Sequence, residues 1–127
     1  MDGLRYKWMA PFSEHFKYRK HTGMVAWAIH RITGVGLVIF VVVHIWSISH
    51  LAEGAEGFNA VMELYSRPLF KFGEIVLFAG IVYHALNGLR IVIVDFFGGA
   101  RYHKAIFRGL MALGAVIFVA GTVVLIG

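Results

Sequence analysis

Long apolar stretches, rather than alternating apolar and polar positions, dominate this chain. The longest run without a charged residue, from Ile32 to Ala52, has 21 residues, and a second run from Gly109 to Gly127 has 19. A helix needs about 20 residues to cross a hydrocarbon core of roughly 30 Å. Both runs therefore predict membrane-spanning helices. A third apolar segment, which carries more ionisable residues, begins at Pro68, a residue suited to the first turn of a helix.

Breakers and turn residues divide the chain into one three-helix unit, which we expect to be a single membrane domain of residues 1–127. The predicted parts are an interfacial segment at 1–23 and three spans at 24–51, 68–97 and 102–127. In the loop between the first two spans, four apolar residues have the spacing of a short amphipathic helix on the membrane surface (Phe58, Val61, Met62 and Tyr65). The fold class predicted is all-α, integral membrane.

Composition supports this interpretation and excludes several alternatives. Hydrophobic residues make up 59% of the 127 residues and charged residues only 15%, whereas soluble domains are about 45–50% apolar and about 25% charged. There is no cysteine, so this chain has no disulfide, no thiolate-held iron–sulfur cluster and no covalently attached c-type haem. Iron bound here would need histidine, and the chain has seven.

The charged residues that give the net charge of +5 are divided unevenly between the two predicted sides of the membrane. The loop between the first two spans contains Glu53, Glu56 and Glu63 against Arg67 alone. Basic residues instead cluster at the amino terminus and after the second span: Arg5, Lys7, Lys17, Arg19, Lys20, Arg101, Lys104 and Arg108. Under the positive-inside rule this asymmetry predicts a cytoplasmic amino terminus and second loop. The charge indicates topology and not nucleic-acid binding.

The first 23 residues lack the apolar core of a signal peptide, since Asp2 and Glu14 interrupt them. The same acids, with a single serine, argue against a mitochondrial transit peptide. We therefore expect the cytoplasmic membrane of a prokaryote. Aromatic and basic residues alternate in this segment, which favours a position at the lipid headgroups and is compatible with a docking surface for a soluble partner.

Ionisable residues inside the spans cost free energy, so each needs a structural or functional explanation. If the first span enters the hydrocarbon near Trp27 and the second leaves it near Val94, counting 1.5 Å per residue places Arg31 and Arg90 about 6 Å below the same surface. The same count places His84 about 15 Å deep, near the midplane. The third span has no ionisable residue after Arg108. Its glycines at 109, 114 and 121 favour close helix packing.

His84 is the strongest candidate for chemistry. It shares one helical stripe with Gly73, Gly80, Gly88 and other residues at helical spacing. Glycines one turn on either side of it would leave room for a porphyrin ring while the imidazole reaches the iron. The alternative is a buried histidine that hydrogen-bonds a neighbouring helix.

His44 is the second candidate, about 10 Å from His84 along the membrane normal by the same count. It is either structural or the ligand of a second haem. In both cases each iron lacks a second histidine at its level, because His30 and His50 are expected near the two surfaces. The missing axial ligands would come from a partner chain.

Two linked motifs resemble those of the cytochrome b membrane-anchor subunit (C subunit) of succinate dehydrogenase. They are H-R-x-[ST]-G at residues 30–34 and H-x-x-x-G-x-R-x-x-x-x-D at residues 84–95. The resemblance covers about residues 24–97. It implies half of a heterodimeric helical anchor bundle, in which a second anchor subunit supplies the other axial histidine, together with an iron–sulfur subunit and a flavoprotein.

The resemblance also implies residue roles. His84 would be the axial ligand of haem b, and His30 and Arg31 would lie beside the haem propionates. Arg31 would also contact quinone, the substrate to which electrons pass from the iron–sulfur subunit; otherwise its side chain could reach the interface on its own. This chain would have no succinate chemistry itself. Arg90 and Asp95 would brace the second span and the contact with the iron–sulfur subunit.

Two departures from the family pattern concern the same region. Trp27 occupies the position where many members have a serine quinone ligand, so quinone contact here would be stacking or indole donation, or the hydrogen bond to quinone would come from another subunit. Ile91 replaces a histidine that many members have after the second arginine. The remaining alternatives are a cytochrome b subunit of a fumarate reductase or of another quinone-linked dehydrogenase, and a small non-redox membrane protein.

Overall fold

Four helices account for most of the described chain. The structure is a computed structural model, and it describes residues 22–127. Numbered in chain order, the helices are α1 (Thr22–Ser49), α2 (Gly54–Tyr65), α3 (Pro68–Phe96) and α4 (His103–Ile126). Short 3-10 turns, His50–Glu53 and Gly99–Tyr102, precede α2 and α4. No strand occurs within residues 22–127, which confirms the predicted all-α class.

α1, α3 and α4 are each long and apolar enough to cross a membrane. Their ends lie within about two residues of the predicted ones. α1 includes Thr22 and Gly23, which we expected to precede it, and it ends at Ser49 because the chain tightens there into the 3-10 turn. The remainder of the predicted interfacial segment, residues 1–21, lies outside the described residues.

Local backbone chemistry sets the turns between helices. Arg67 is extended, with φ −67° and ψ 145°, and Pro68 opens α3 with the fixed φ that a first helical turn needs. Gly54 and Gly98 have φ values of 81° and 64°. Only glycine adopts this left-handed region without strain. These two positions therefore allow the chain to reverse after α1 and after α3.

The distribution of apolar side chains is that of a membrane protein. Residues such as Ile32, Val38 and Val42 are more than 60% exposed, and apolar residues occur on all sides of α1 and α3. The most deeply buried side chain is instead polar, since Asn87 is 0% exposed. Lipid solvates the outer apolar surface, and the polar groups face neighbouring helices, where they find partners.

α3 lies in the middle of the bundle and packs against both α1 and α4. Gly114 and Gly121 lie against α3: a Cβ atom on Gly114 would be 2.8 Å from Leu86, and one on Gly121 would collide with the ring of Phe78. These contacts confirm that glycines bring α4 close to its neighbour. Gly109 makes no such contact within residues 22–127, since a Cβ atom placed on it would have nothing within 4 Å.

α2 confirms the short helix predicted between the first two spans. Val61 is buried, and the hydroxyl of Tyr65 hydrogen-bonds the hydroxyl of Ser47 on α1. The Tyr65 ring also meets Phe70 on α3, with centroids 5.6 Å apart. α2 therefore covers one end of the α1–α3 pair. At that same end, Lys71 pairs with Glu74 at 3.4 Å, which accounts for two of the ionisable residues in α3.

Candidate functional site

His84 lies at the contact between α3 and α1, and its ring is held from the α1 side. Its Nδ1 is 3.1 Å from the carbonyl oxygen of His30 and 3.1 Å from the hydroxyl oxygen of Thr33. The Thr33 hydroxyl lies 2.9 Å from the carbonyls of Ile29 and His30 in its own helix, to which it donates. Both groups near Nδ1 are therefore acceptors.

This arrangement sets the tautomer of His84. A carbonyl oxygen only accepts hydrogen bonds, so Nδ1 carries the hydrogen and donates it. In the neutral ring Nε2 then has a free lone pair. Histidines that ligate metals are oriented in this way, with the second ring nitrogen donating to a carbonyl or carboxylate. The site residue singled out by sequence thus has the chemistry of an Nε2 ligand.

His30 lies directly on His84. The two imidazole centroids are 3.9 Å apart and the rings are nearly parallel, at 9°. The Nδ1 atom of His30 is buried and has no hydrogen-bond partner among residues 22–127. A second polar ring with a free nitrogen at this point is the kind of group that a polar ligand substituent would satisfy.

The contact between the His30 and His84 rings corrects the predicted alignment of α1 with α3. Thr33 lies opposite Gly80, and His30 lies opposite Gly88, so Trp27 is level with a residue near 88 rather than with Val94. Trp27 and Val94, the two residues assumed to lie at the membrane surface, therefore differ in level by about 9 Å along the helix axes. The alignment that sets Trp27 level with residue 88 is the corrected register. His84 and Arg31 therefore lie at about the same level rather than about 9 Å apart, and the expectation that His30 lies away from His84 was wrong.

The glycines of α3 do not form the open clearing that the stripe suggested. Cβ atoms on Gly88 and Gly80 would lie 3.6 Å from His30 and 3.7 Å from Thr33, so α1 covers both positions. The closest approach to His84 comes instead from α1, where a Cβ on Gly34 would be 3.1 Å from Cε1 of the imidazole. Gly34 therefore makes room for the His84 ring, while Gly80 and Gly88 serve helix packing.

Arg31 and Arg90 do not lie at the same level, although the sequence predicted that they would. Arg31 is exposed on α1 and its guanidinium lies 4.7 Å from the ring centroid of Trp27. Arg90 is only 8% exposed and lies 5.4 Å from the Phe107 ring of α4. By the corrected register they are separated by about 9 Å along the membrane normal. Arg31 and Trp27 thus form one exposed polar–aromatic pair, and Arg90 braces α3 against α4.

His44 lies far from this site, on the α2 side of the bundle. The corrected register places it about 20 Å from His84 along the membrane normal, twice the predicted separation. It lines a cavity of about 720 Å³ between α1, α2 and α3, whose walls are mostly apolar. Its ring is tilted against Phe40, with centroids 5.2 Å apart. The structure therefore separates the two candidate histidines into two different sites.

Two residues that position the site were missed by sequence reasoning. Tyr83 donates from its hydroxyl to the carbonyl of Ala26 at 3.0 Å, and the side-chain amide of Asn87 lies 3.5 Å from the same oxygen. Both come from α3 and bind α1 one turn from His30. The sequence feature that could have identified Tyr83 and Asn87 is their spacing of four residues, which puts two polar side chains on one face of an apolar helix.

These features define the class of protein: a small three-span helical membrane protein with a half-buried imidazole pair and an adjacent exposed arginine. The chain belongs to the succinate dehydrogenase/fumarate reductase transmembrane subunit family, whose model matches residues 9–124. This match confirms the family resemblance of the two histidine motifs.

Individual relatives agree with the family assignment. The chain is 35% identical over 112 residues to the succinate dehydrogenase 2 membrane subunit of Mycobacterium tuberculosis, covering 84% of this chain and 80% of that protein. It is also 35% identical over 99 residues to the succinate dehydrogenase hydrophobic membrane anchor subunit of Halobacterium salinarum, covering 77% and 76%. The chain is thus a succinate dehydrogenase membrane-anchor subunit by family, which implies further subunits in a complex.

Replacing Thr33 by valine tests the polar contact that holds His84. The substitution keeps the side-chain shape but removes the acceptor oxygen, so we expect the free energy of unfolding to fall by about 1 kcal/mol. A lower midpoint in thermal unfolding of the detergent-solubilised protein would report it. Thr122→Val is the matched control, because the buried Thr122 hydroxyl has no partner among residues 22–127. Equal midpoints for the two variants would contradict the assigned role of Thr33.

Proposed function

We propose that this chain holds a haem b through Nε2 of His84 and forms part of a quinone site beside it. The observation that carries the proposal is the hydrogen bond from His84 Nδ1 to the His30 carbonyl at 3.1 Å. That bond leaves Nε2 as a lone-pair donor, which is the atom a haem iron requires. When bound, haem supplies a one-electron redox centre between the iron–sulfur subunit and quinone.

The residues around His84 fit the polar edge of a haem. His30 stacks on the ligand ring at 3.9 Å and has a buried Nδ1 without a partner in the described chain. Arg31 follows it on α1 and is exposed on the bundle surface. An imidazole N–H and a guanidinium at one level can both donate to carboxylates, so these two residues are assigned to the haem propionates.

His84 would supply one side of one iron. His30 stacks on the face of the His84 imidazole, so His30 would not be the second ligand of the same iron. The second axial ligand is therefore assigned to a histidine of a second anchor subunit. In the same proposal, an iron–sulfur subunit and a flavoprotein deliver electrons from succinate, and this chain takes no part in succinate chemistry.

Removing the imidazole of His84 tests haem ligation. In purified complex carrying His84→Ala, we expect the haem of this site to be lost, a loss of about one haem per flavin, because the proposal assigns its iron to Nε2 of His84. Haem absorbance per flavin measures the loss, and free imidazole should restore part of it. His50→Ala removes an imidazole whose Nδ1 bonds Trp46 at the other end of α1, and it serves as the control. Full haem content in His84→Ala would refute the assignment.

The quinone site is assigned to the pair formed by Trp27 and Arg31. The guanidinium lies 4.7 Å from the Trp27 ring centroid, and both side chains are exposed on α1. A flat aromatic ring offers a stacking surface for a quinone, and a guanidinium stabilises the negative charge that develops on a quinone oxygen during reduction. In this proposal Trp27 stacks on the quinone ring and Arg31 donates to a quinone oxygen.

Replacing Arg31 by glutamine tests this role. We expect quinone reduction to fall by on the order of tenfold to a hundredfold, since a charge-stabilising donor is lost. Succinate oxidation with a soluble dye acceptor, which bypasses the quinone site, should stay unchanged. Arg67→Gln removes a cation at the opposite end of the bundle and controls for charge. If Arg31 only reaches the interface by itself, quinone and dye activities will both match those of the unmodified complex.

A second haem is proposed at His44. The supporting observation is the apolar cavity of about 720 Å³ that His44 lines between α1, α2 and α3. The roughly 20 Å between the two histidines along the membrane normal requires two separate haems rather than one shared iron. The opposite ligand would again come from the second anchor subunit. In the alternative, His44 is a structural residue tilted against Phe40.

Counting haems separates these alternatives for His44. Under the proposal, the unmodified complex contains about two haems per flavin and His44→Ala contains about one, because each site depends on one histidine of this chain. Haem and flavin absorbance of the same preparation give the ratio. His50→Ala is again the control. One haem per flavin in both preparations would assign His44 to a structural role.

The orientation proposed for the chain places its amino terminus and the α3–α4 turn in the cytoplasm of a prokaryote. The support is the basic character of residues 1–20 and 101–108 compared with the acidic loop around α2. In this orientation the His84 site lies toward the cytoplasmic face, where soluble subunits would deliver electrons, and the His44 cavity lies toward the outer face.

A further inference from the structure

A basic pocket lies at the start of α4, on the end of the bundle that contains the α3–α4 turn. It is a concavity of about 450 Å³ lined by Arg101, Lys104 and Arg108 together with Tyr102 and His103. The three cationic side chains are exposed, and none forms an ion pair with a carboxylate of residues 22–127. The pocket therefore concentrates positive charge that the described chain does not neutralise.

The position of this pocket along α4 matches the boundary of the hydrocarbon. The uncharged run begins at Gly109, directly after Arg108, and continues to the end of the chain. Lys104 and Arg108 are one turn apart on the same face of the helix. Arg108 therefore lies at the level where phosphate groups of a bilayer begin, and Lys104 lies about 6 Å further toward water.

An exposed apolar face continues from the basic pocket along α4. Val116, Val119 and Val123 follow Arg108 at helical spacing and are 67%, 61% and 66% exposed. A cationic pocket at headgroup level that continues into an apolar surface has the two-part chemistry of a phospholipid. An acidic soluble partner would match the pocket alone, whereas one phospholipid matches both the pocket and the apolar face below it.

We propose that the pocket of Arg101, Lys104 and Arg108 binds the phosphate headgroup of an anionic phospholipid, whose acyl chains lie along the exposed face of α4. Basic pockets on membrane helices recognise such headgroups through charge-assisted hydrogen bonds. To set the membrane topology, it is enough that several positive charges lie on one side of the membrane. Topology does not require three cations in one concavity above an apolar stripe. The proposal does not depend on haem or quinone.

Reconstitution of the whole complex in nanodiscs tests the proposal. In phosphatidylcholine discs with increasing phosphatidylglycerol, native mass spectrometry should show phosphatidylglycerol retained on the complex. The double variant Lys104→Gln/Arg108→Gln should bind it with on the order of tenfold lower affinity, because each cation near a membrane surface contributes to anionic-lipid binding. Arg67→Gln, which removes a cation at the opposite end of the bundle, should behave like the unmodified complex.

A second variant separates charge recognition from misfolding. Lys104→Arg/Arg108→Lys keeps both charges and should retain phosphatidylglycerol. Equal retention by the unmodified complex and the glutamine double variant would overturn the proposal and leave the cluster as a topology signal. Loss of the soluble subunits from the double variant, with lipid retention unchanged, would also overturn it and assign the pocket to a protein partner.

Discussion

One polar contact inside an apolar bundle organises the α1–α3 half of this protein. The Nδ1 of His84 donates to the His30 carbonyl and to the Thr33 hydroxyl, each at 3.1 Å. In lipid there is no water to satisfy a buried donor, so the two helices must remain in the register that supplies these acceptors. The same contact orients the imidazole and leaves Nε2 with a free lone pair. The packing of α1 on α3 and the tautomer of His84 therefore depend on a single hydrogen-bonded group.

The rest of the α1–α3 interface supports this register. Tyr83 and Asn87 hold the Ala26 carbonyl one turn away, and Gly34 leaves space for the His84 ring. On the other side of α3, Gly114 and Gly121 let α4 approach closely, and Phe107 covers the buried guanidinium of Arg90. A bundle with so few buried apolar residues is held by close backbone approach and by polar contacts, because exchange between lipid and protein gives apolar side chains little gain.

The two candidate sites differ in the environment that each offers. The His84 site is narrow and polar, with a stacked second imidazole and an arginine at the same level. The His44 site is a wide, mostly apolar cavity closed at one end by α2. A membrane anchor with both sites would offer two binding sites for electron carriers, one in each half of the bilayer. The basic pocket at the start of α4 lies away from both, on the lipid-facing side.

Sequence alone determined the three spans, the short helix between them and the family, because apolar run length and turn residues act locally. It also made His84 the main candidate residue, because the motif around His84 is local. It could not determine how α1 and α3 align, since counting from assumed membrane entry points misjudged the register by about 9 Å. The stacking of His30 on His84, the separation of Arg31 from Arg90 and the covering of Gly80 and Gly88 followed only from tertiary packing. Those contacts join residues about fifty positions apart, and side-chain fit between helices, which no local pattern encodes, decides them.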